Sequence, residues 1–166
     1  MESLTPAPLA KLTQLGIEPA KIKFVQPRTR RAQYQAIVNW LTKYQPSPDT
    51  PNRDQVKGYI QAFYHLCDME EWGRAASLIS TKLNTPTEDP LHYQLKLWGD
   101  VPQQMSLYEA LIDHVAPKWN GLFLQFLGTC HQAQGQYVPA KQCLDRSLSI
   151  LQAAGDMVDQ GMVQSN

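Results

Sequence analysis

The chain has 166 residues, 43% hydrophobic and 18% charged, so it is long enough for one ordinary domain and too apolar to be wholly disordered. Fifteen basic residues balance fifteen acidic ones, so net charge alone predicts neither nucleic acid nor acidic lipid as partner. Pro6 and Pro8 interrupt the start of the chain, where a secretory signal needs an apolar stretch. No window approaches the ~18 uninterrupted apolar residues of a membrane span, so we expect a soluble, cytoplasmic protein.

The cysteine and histidine residues do not form a recognisable metal or catalytic pattern. Cys67, Cys130 and Cys143 contain no CxxC pair and cannot all be paired within one chain, which favours reduced structural thiols. The histidines are scattered: His65, His92, His114 and His131. Adjacent helix positions such as Cys130 and His131 point in different directions and cannot easily share a metal. We therefore expect no enzyme activity, no metal and no cofactor.

Twelve prolines divide the chain into segments of helical length, because proline fits the first turn of a helix and disrupts its interior. The sequence predicts a short helix near residues 8–15 and a long helix over residues 29–44, with Thr29 as its N-cap. The apolar face of the long helix carries Tyr34, Ile37, Val38 and Leu41. A proline-rich loop over residues 45–52 then separates an N-terminal helical cap, residues 1–45, from the rest of the chain.

Three pairs of helices are predicted after that loop, because apolar residues recur there at three- and four-residue spacing. The pairs are residues 53–67 with 71–83, 89–98 with 102–115, and 119–133 with 138–153. Antiparallel helix pairs at intervals of roughly 30–40 residues are typical of helical solenoids. We therefore predict an all-α fold with about three helix hairpins over residues 53–153, followed by residues 154–166 as a C-terminal tail.

The last predicted hairpin has the clearest repeat signal, in the stretches LQFLGTCH, GQYVPA and LDRSL. Gly128 allows a close approach of the two helices, and Ala140 is small where they cross. Gly135 ends the first helix in a left-handed conformation that costs glycine little. We expect Tyr137 to pack from the turn into the hairpin. The buried stripe of the second helix is predicted to carry Leu144 and Leu148.

These residues and their spacing resemble the tetratricopeptide (TPR) repeat, with Leu124, His131 and Ser147 where that family usually has Trp, Tyr and Ala. The resemblance implies a right-handed helical solenoid of about three TPR-like hairpins with the N-terminal segment as a helical cap. It also implies that His131, in the position of the family's Tyr, packs in the core. The stretches YIQAFYHLCDMEEWGRAASLI and LHYQLKLWGDVPQQMSLYEALI are also similar to TPR arrays of STAND-type signalling ATPases of cyanobacteria and other bacteria. In that comparison residues 154–161 resemble the start of a further repeat. No GxxxxGK[ST] motif occurs in these 166 residues, so we do not expect them to contain the ATPase part.

The TPR resemblance implies a concave partner-binding groove on the first helix of each hairpin. Its predicted members are Lys57, Ile60, Tyr64, Tyr93, Lys96, Gln125, Thr129 and Gln132. Aromatic and long polar side chains suit peptide recognition. In the alternative, Tyr64 and Tyr93 pack against a helix that fills the groove. The Lys/Asn clamp that holds a terminal carboxylate in chaperone-binding TPR domains is not reproduced beyond Lys57.

A basic segment between residues 19 and 48 provides an alternative site, because it contains six basic residues and no acid. These residues are Lys21, Lys23, Arg28, Arg30, Arg31 and Lys43. The aromatic residues Phe24, Tyr34 and Trp40 are interleaved with them. A surface over residues 21–43 is suited to nucleic acid, an anionic membrane or, as first expectation, an acidic protein. The other interpretation is a solvated basic face with the aromatic rings buried.

The function predicted from the sequence is a non-catalytic scaffold or adaptor that binds a protein partner or a peptide segment. The TPR resemblance implies a role in signalling or, as for small TPR proteins of cyanobacteria, in assembly of a photosynthetic complex. We do not expect nucleic acid to be the partner, and we expect membrane contact to be peripheral at most. Self-association through an apolar face at residues 155–162 is an open alternative.

Overall fold

The computed structural model of the chain describes the backbone of residues 2–164 and the side chains of residues 2–155. Within these limits the secondary structure is helical, apart from one isolated bridge between Lys82 and Pro90. The elements are α1 (Pro8–Gln14), a 3₁₀ helix (Pro19–Phe24), α2 (Arg28–Thr42), α3 (Asn52–Gln55), α4 (Lys57–Asp68), α5 (Trp72–Ile79), α6 (Leu91–Leu97), α7 (Val101–Leu111), α8 (Pro117–Ala133) and α9 (Tyr137–Gln164). The all-α prediction is therefore confirmed. No described helix is both long and apolar enough to cross a membrane.

Two of the predicted helix boundaries are wrong for local reasons. Pro27 is the N-cap of α2, so Thr29 lies inside the first turn, and no side chain caps this helix. The predicted helix over residues 53–67 is interrupted at Val56, whose φ of -98° and ψ of 1° end α3 before α4 begins. Proline has no side-chain acceptor for the N-cap, but its fixed φ suits the start of a helix. Sequence rules that look for Ser, Thr, Asp or Asn at the N-cap therefore overlook it.

The chain divides into two compact units, Met1–Asp100 and Val101–Asn166. In the first unit α2 packs against α1, the 3₁₀ helix and α4, and α4 also packs against α5. Of the predicted face of α2, Ile37, Val38 and Leu41 are buried, whereas Tyr34 is half-buried. The remaining core side chains of this unit include Leu12, Phe63, Leu66, Leu78, Ile79, Leu83, Leu91 and Leu95.

In the second unit α8 packs against α7 and, along its length, against α9. An ideal Cβ on Gly128 would stand 2.8 Å from Cγ of Leu144 and 3.2 Å from the Ala140 carbonyl oxygen. Gly135 has a φ of 73°, and Ala140 is buried. The predicted roles of these two glycines and of Ala140 are therefore confirmed. Ser147 adds a buried hydrogen bond, since its Oγ donates to the Gly121 carbonyl at 2.6 Å.

The predicted packing of Tyr137 and Leu148 is wrong, because these side chains are 70% and 57% exposed. On α9 the buried residues Ala140 and Ser147 face α8, and Tyr137 and Leu148 lie to one side of them at helical spacing. His131 is half-buried rather than in the core, and its Nδ1 is 2.6 Å from Gln136 Oε1.

The predicted tail over residues 154–166 begins inside α9, which continues to Gln164. The apolar face predicted at residues 155–162 lies, beyond Gly155, outside the residues whose side chains are described.

Candidate partner-binding surfaces

The outward side of α6 presents an aromatic ring, a cation and an aliphatic side chain. Tyr93 is 38% exposed and Leu97 is 52% exposed, and the ammonium of Lys96 lies 5.5 Å from the Tyr93 ring centroid. The inward side of the helix is fully covered, since Leu91, His92, Gln94 and Leu95 are buried. Tyr93, Lys96 and Leu97 are called the α6 surface below. A helix anchored on one side and exposed on the other holds such a surface in a fixed geometry.

The ends of α6 are fixed by backbone hydrogen bonds. The Leu91 N–H donates to the Thr81 carbonyl at 2.9 Å, directly after the N-cap residue Pro90. At the other end the Asp100 N–H donates to the Leu95 carbonyl at 2.8 Å, which Gly99 allows with a φ of 79°. These bonds hold the short helix in place even though it contains fewer than three full turns.

The predicted contact residues of α4 differ from one another in accessibility. Lys57 begins α4 and is exposed, and Tyr64 is half-buried with its ring edge towards Phe63 at a centroid distance of 5.1 Å. Ile60, which was predicted to face a partner, is 7% exposed, so this prediction is wrong. The physical reason is that α4 packs against both α2 and α5, which leaves only a narrow side of the helix in solvent.

The predicted contact residues of α8 share one exposed face in the second unit. Gln125, Thr129 and Gln132 are all exposed, and the Thr129 Oγ donates to the Gln125 carbonyl at 2.9 Å. The opposite side, with Leu124 and Leu127, is buried. The structure therefore displays two glutamine amides on this face. The positions on α4 and α6 belong to the first unit, so a single groove over all hairpins remains a prediction.

The predicted basic contacts have three different environments. Arg28 is exposed, and its side chain makes no hydrogen bond or ion pair among the described residues. Arg30 is ion-paired with Glu71 and stacks 5.6 Å from the Tyr34 ring centroid. Arg31 donates from Nε to the Val25 carbonyl at 3.1 Å.

The aromatic residues of this segment are not all buried. Phe24 is 72% exposed, whereas Tyr34 and Trp40 are half-buried. The interpretation of a basic face with buried aromatic rings is therefore wrong for Phe24.

A polar cluster that sequence reasoning missed is centred on Glu71, the N-cap residue of α5. Its carboxylate accepts hydrogen bonds from Arg30, from the Tyr34 hydroxyl and from Arg74, the last at 2.8 Å. Arg74 also donates to the Tyr34 hydroxyl at 2.9 Å. The donors on α2 are 41 and 37 residues away in sequence, so no local pattern could have identified them. The cluster ties α2 to the start of α5.

The electrostatics of this cluster favour the charged carboxylate. Burial raises the pKa of Glu71, but hydrogen bonds from Tyr34 and Arg74 and the charges of Arg74 and Arg30 outweigh it, so the pKa lies below its ordinary value of 4.5. With the Glu71 side chain only 13% exposed and ion-paired with both Arg30 and Arg74, the cluster is a structural ion-pair network.

The thiols and the buried imidazole are in environments that disfavour their charged forms. Burial, with a smaller contribution from Asp68, raises the pKa of the Cys67 thiol to about 12. The Cys130 thiol is buried and donates to Gln104 Oε1 at 3.3 Å. Burial lowers the pKa of His92 to about 4. A thiol with a raised pKa is a poor nucleophile and a poor metal ligand, and among the described residues no three His, Cys, Asp or Glu side chains converge on a common point.

The second unit also exposes apolar side chains that the sequence analysis did not predict to be exposed. Trp119, near the start of α8, is 48% exposed and stacks on Phe123 at a centroid distance of 6.0 Å. Tyr137, Val138 and Leu148 are 57–70% exposed on α9. Leu148 was predicted to lie on a buried stripe and Tyr137 to pack from the turn, because a sequence pattern does not show which side of a helix its neighbour covers.

The sequence matches no family model, and no curated protein or solved structure matches it significantly.

Proposed function

We propose that this chain is a non-catalytic scaffold or adaptor that binds a protein partner through TPR-like helix hairpins. The observation that carries the proposal is the α6 surface, where Tyr93, Lys96 and Leu97 are exposed on a helix whose other side is buried. Tyrosine side chains are enriched at the energetic centres of protein interfaces, and Tyr93 is held here on a fixed support. In the second unit, the exposed glutamines of α8 offer a partner separate hydrogen-bonding groups.

The TPR-like part of the proposal is supported by the α8–α9 hairpin. Its helices approach closely at Gly128, and Gly135 and Ala140 have the conformation and the burial that such a hairpin requires. The exposure of Tyr137 departs from the repeat pattern. Three hairpins in a right-handed solenoid, and a role in signalling or in assembly of a photosynthetic complex, extend the proposal by the resemblance stated above.

Photo-crosslinking tests the proposed surface directly. A photoreactive phenylalanine analogue is placed at Tyr93, at Gln125 or, as a control, at Leu9, which is an exposed apolar position of α1. In cells that naturally contain the chain, we expect one and the same protein to be captured from the first two positions and not from Leu9.

The captured partner is then purified, and its affinity is measured by calorimetry. Replacement of Tyr93 by Ala together with Leu97 by Ser should weaken binding by at least about tenfold, since removal of interface anchors costs about 2 kcal/mol or more. Leu9→Ser should bind like the wild type. Equal affinity of all variants would contradict the proposed surface.

Self-association is a second candidate, carried by the exposed flank of α9 at Tyr137 and Leu148. Sedimentation equilibrium of the full chain is compared with that of the double variant Tyr137→Ser, Leu148→Ser. A wild-type dimer that dissociates in the variant supports this candidate. A monomer at every concentration, or a dimer that both proteins share, excludes the flank as the contact.

A further inference from the structure

The 3₁₀ helix carries an exposed aromatic ring beside uncompensated positive charge. Phe24 is 72% exposed, and the Lys23 ammonium lies 5.0 Å from its ring centroid. Arg28 begins α2 and is exposed. Arg31 follows one turn later, and its Nε donates to the carbonyl of Val25, the residue after Phe24. Lys23, Phe24, Arg28 and Arg31 are called the basic tip.

The acids close to this segment neutralise other cations. Glu18 is ion-paired with Lys21 at 3.0 Å, and Glu71 is ion-paired with Arg30. In the part of the chain that the structure describes, no ion pair involves the three cations of the basic tip. The tip therefore combines three positive charges with one apolar ring that is mostly in solvent.

We propose that the basic tip docks this protein on an anionic lipid surface. Anionic phospholipid headgroups attract Lys and Arg side chains, while an aromatic ring between them enters the boundary between headgroups and acyl chains. Each basic residue close to an anionic membrane strengthens partitioning about fivefold, so three residues give roughly a hundredfold preference over a neutral membrane.

Nucleic acid is less well matched to these observations. Tight binding to duplex DNA commonly neutralises about six to ten phosphates, and the tip offers three cations. Stacking of an aromatic ring with bases occurs in a basic groove that follows the strand, and the tip is a short cluster on one turn of 3₁₀ helix and the first turn of α2. A lipid surface needs no such groove.

Vesicle sedimentation of the full chain tests the proposal, with phosphatidylcholine vesicles compared with vesicles that contain about one third phosphatidylserine. We expect binding to the anionic vesicles, little binding to the neutral ones, and a strong reduction when the salt concentration is raised several-fold. Equal binding to both vesicle types, or no binding to either at low salt, overturns the proposal.

Variants separate the tip from general charge. Lys23→Glu with Arg28→Glu should weaken binding at least about 25-fold, since two cations are lost and two repulsive charges are added. Glutamate at position 28 is compatible with the first turn of α2 because of the helix dipole. Phe24→Ser should weaken binding about fivefold or more. The matched charge control is Lys43→Glu with Lys57→Glu, and the matched apolar control is Leu9→Ser, all at exposed positions of the same unit.

The controls should retain most of the binding, and circular dichroism should show that every variant keeps the wild-type helix content. If the charge control weakens binding as much as the tip variant, net charge rather than the tip is responsible and the proposal fails. It also fails if Phe24→Ser has no effect while a duplex oligonucleotide competes with the vesicles. The proposal is independent of the α6 surface, since Tyr93→Ala should leave vesicle binding unchanged.

Discussion

An ideal Cβ on Gly58 would stand 2.6 Å from the carbonyl oxygen of Trp40, closer than real Cβ atoms approach. The second obstructing atom is Cδ1 of Tyr44, at 3.3 Å from the same point. Because the carbonyl oxygen belongs to the backbone of α2, a change of rotamer cannot move it aside. The packing of α4 on α2 in the first unit therefore requires glycine at position 58.

Replacement of Gly58 by alanine should destabilise the protein by about 1–3 kcal/mol, because α2 and α4 must move apart. This loss outweighs the gain of up to about 1 kcal/mol in helix propensity. The matched control is Gly73→Ala, since apart from its chain neighbours and the adjacent helix backbone no heavy atom lies within 4 Å of the ideal Cβ at this exposed position of α5. Urea unfolding followed by circular dichroism measures both. A loss of the same size for both substitutions would contradict the close approach.

The Glu71 cluster gives a second prediction for stability. Glu71→Ala leaves Arg30, Tyr34 and Arg74 without their shared acceptor, and we expect a loss of about 1–3 kcal/mol. Asp68→Asn removes an exposed acid that has no hydrogen bond or ion pair among the described residues, so it should change stability by less than about 0.5 kcal/mol. The free energies of unfolding of Glu71→Gln and of the wild type should become equal in acid. Since the folded pKa of Glu71 is lowered, its stabilisation is present above pH 4.5 and is lost as the pH falls through the folded pKa.

Burial of His92 predicts a loss of stability at mildly acidic pH. The folded pKa is about 4 and the ordinary value is 6.5, so below pH 6.5 the unfolded chain binds a proton that the folded chain does not. The free energy of unfolding should therefore fall by about 1–2 kcal/mol between pH 7 and pH 5 through this residue. His92→Gln should reduce this pH dependence in urea titrations. His114→Gln changes an exposed histidine and serves as the control. If the free energy of unfolding of both variants falls with pH as steeply as that of the wild type, His92 is not the cause.

The exposed ring of Tyr137 gives a prediction that separates this structure from the regular TPR pattern. Tyr137→Ser should alter the free energy of unfolding by less than about 0.5 kcal/mol, because the side chain is 70% exposed. Ala140→Leu, only three positions away, should cost about 1–3 kcal/mol, because the side chain is buried against α8. A loss above about 2 kcal/mol for Tyr137→Ser would mean that the ring packs in the hairpin after all.

Local patterns predicted the helices and the crossing of the last hairpin well. The positions of Gly128, Gly135 and Ala140 were correct because each role depends on the conformation or size of one residue at a fixed helical spacing. The boundaries at Thr29 and Val56 were wrong because Pro27 takes the N-cap of α2 and a non-helical residue breaks the next predicted helix. The candidate contact residues were chosen by type and spacing, which does not determine accessibility.

The sequence by itself determined that this protein is helical, since proline spacing and apolar periodicity act within a few residues of one another. Only the tertiary structure decided that Ile60 is covered, that Phe24 and Tyr137 are exposed, and that Glu71 accepts from Arg30. Each of these outcomes depends on which flank of a helix a distant segment covers. The covered side is determined by packing between elements that are far apart in the chain, so a short-range sequence pattern does not predict it.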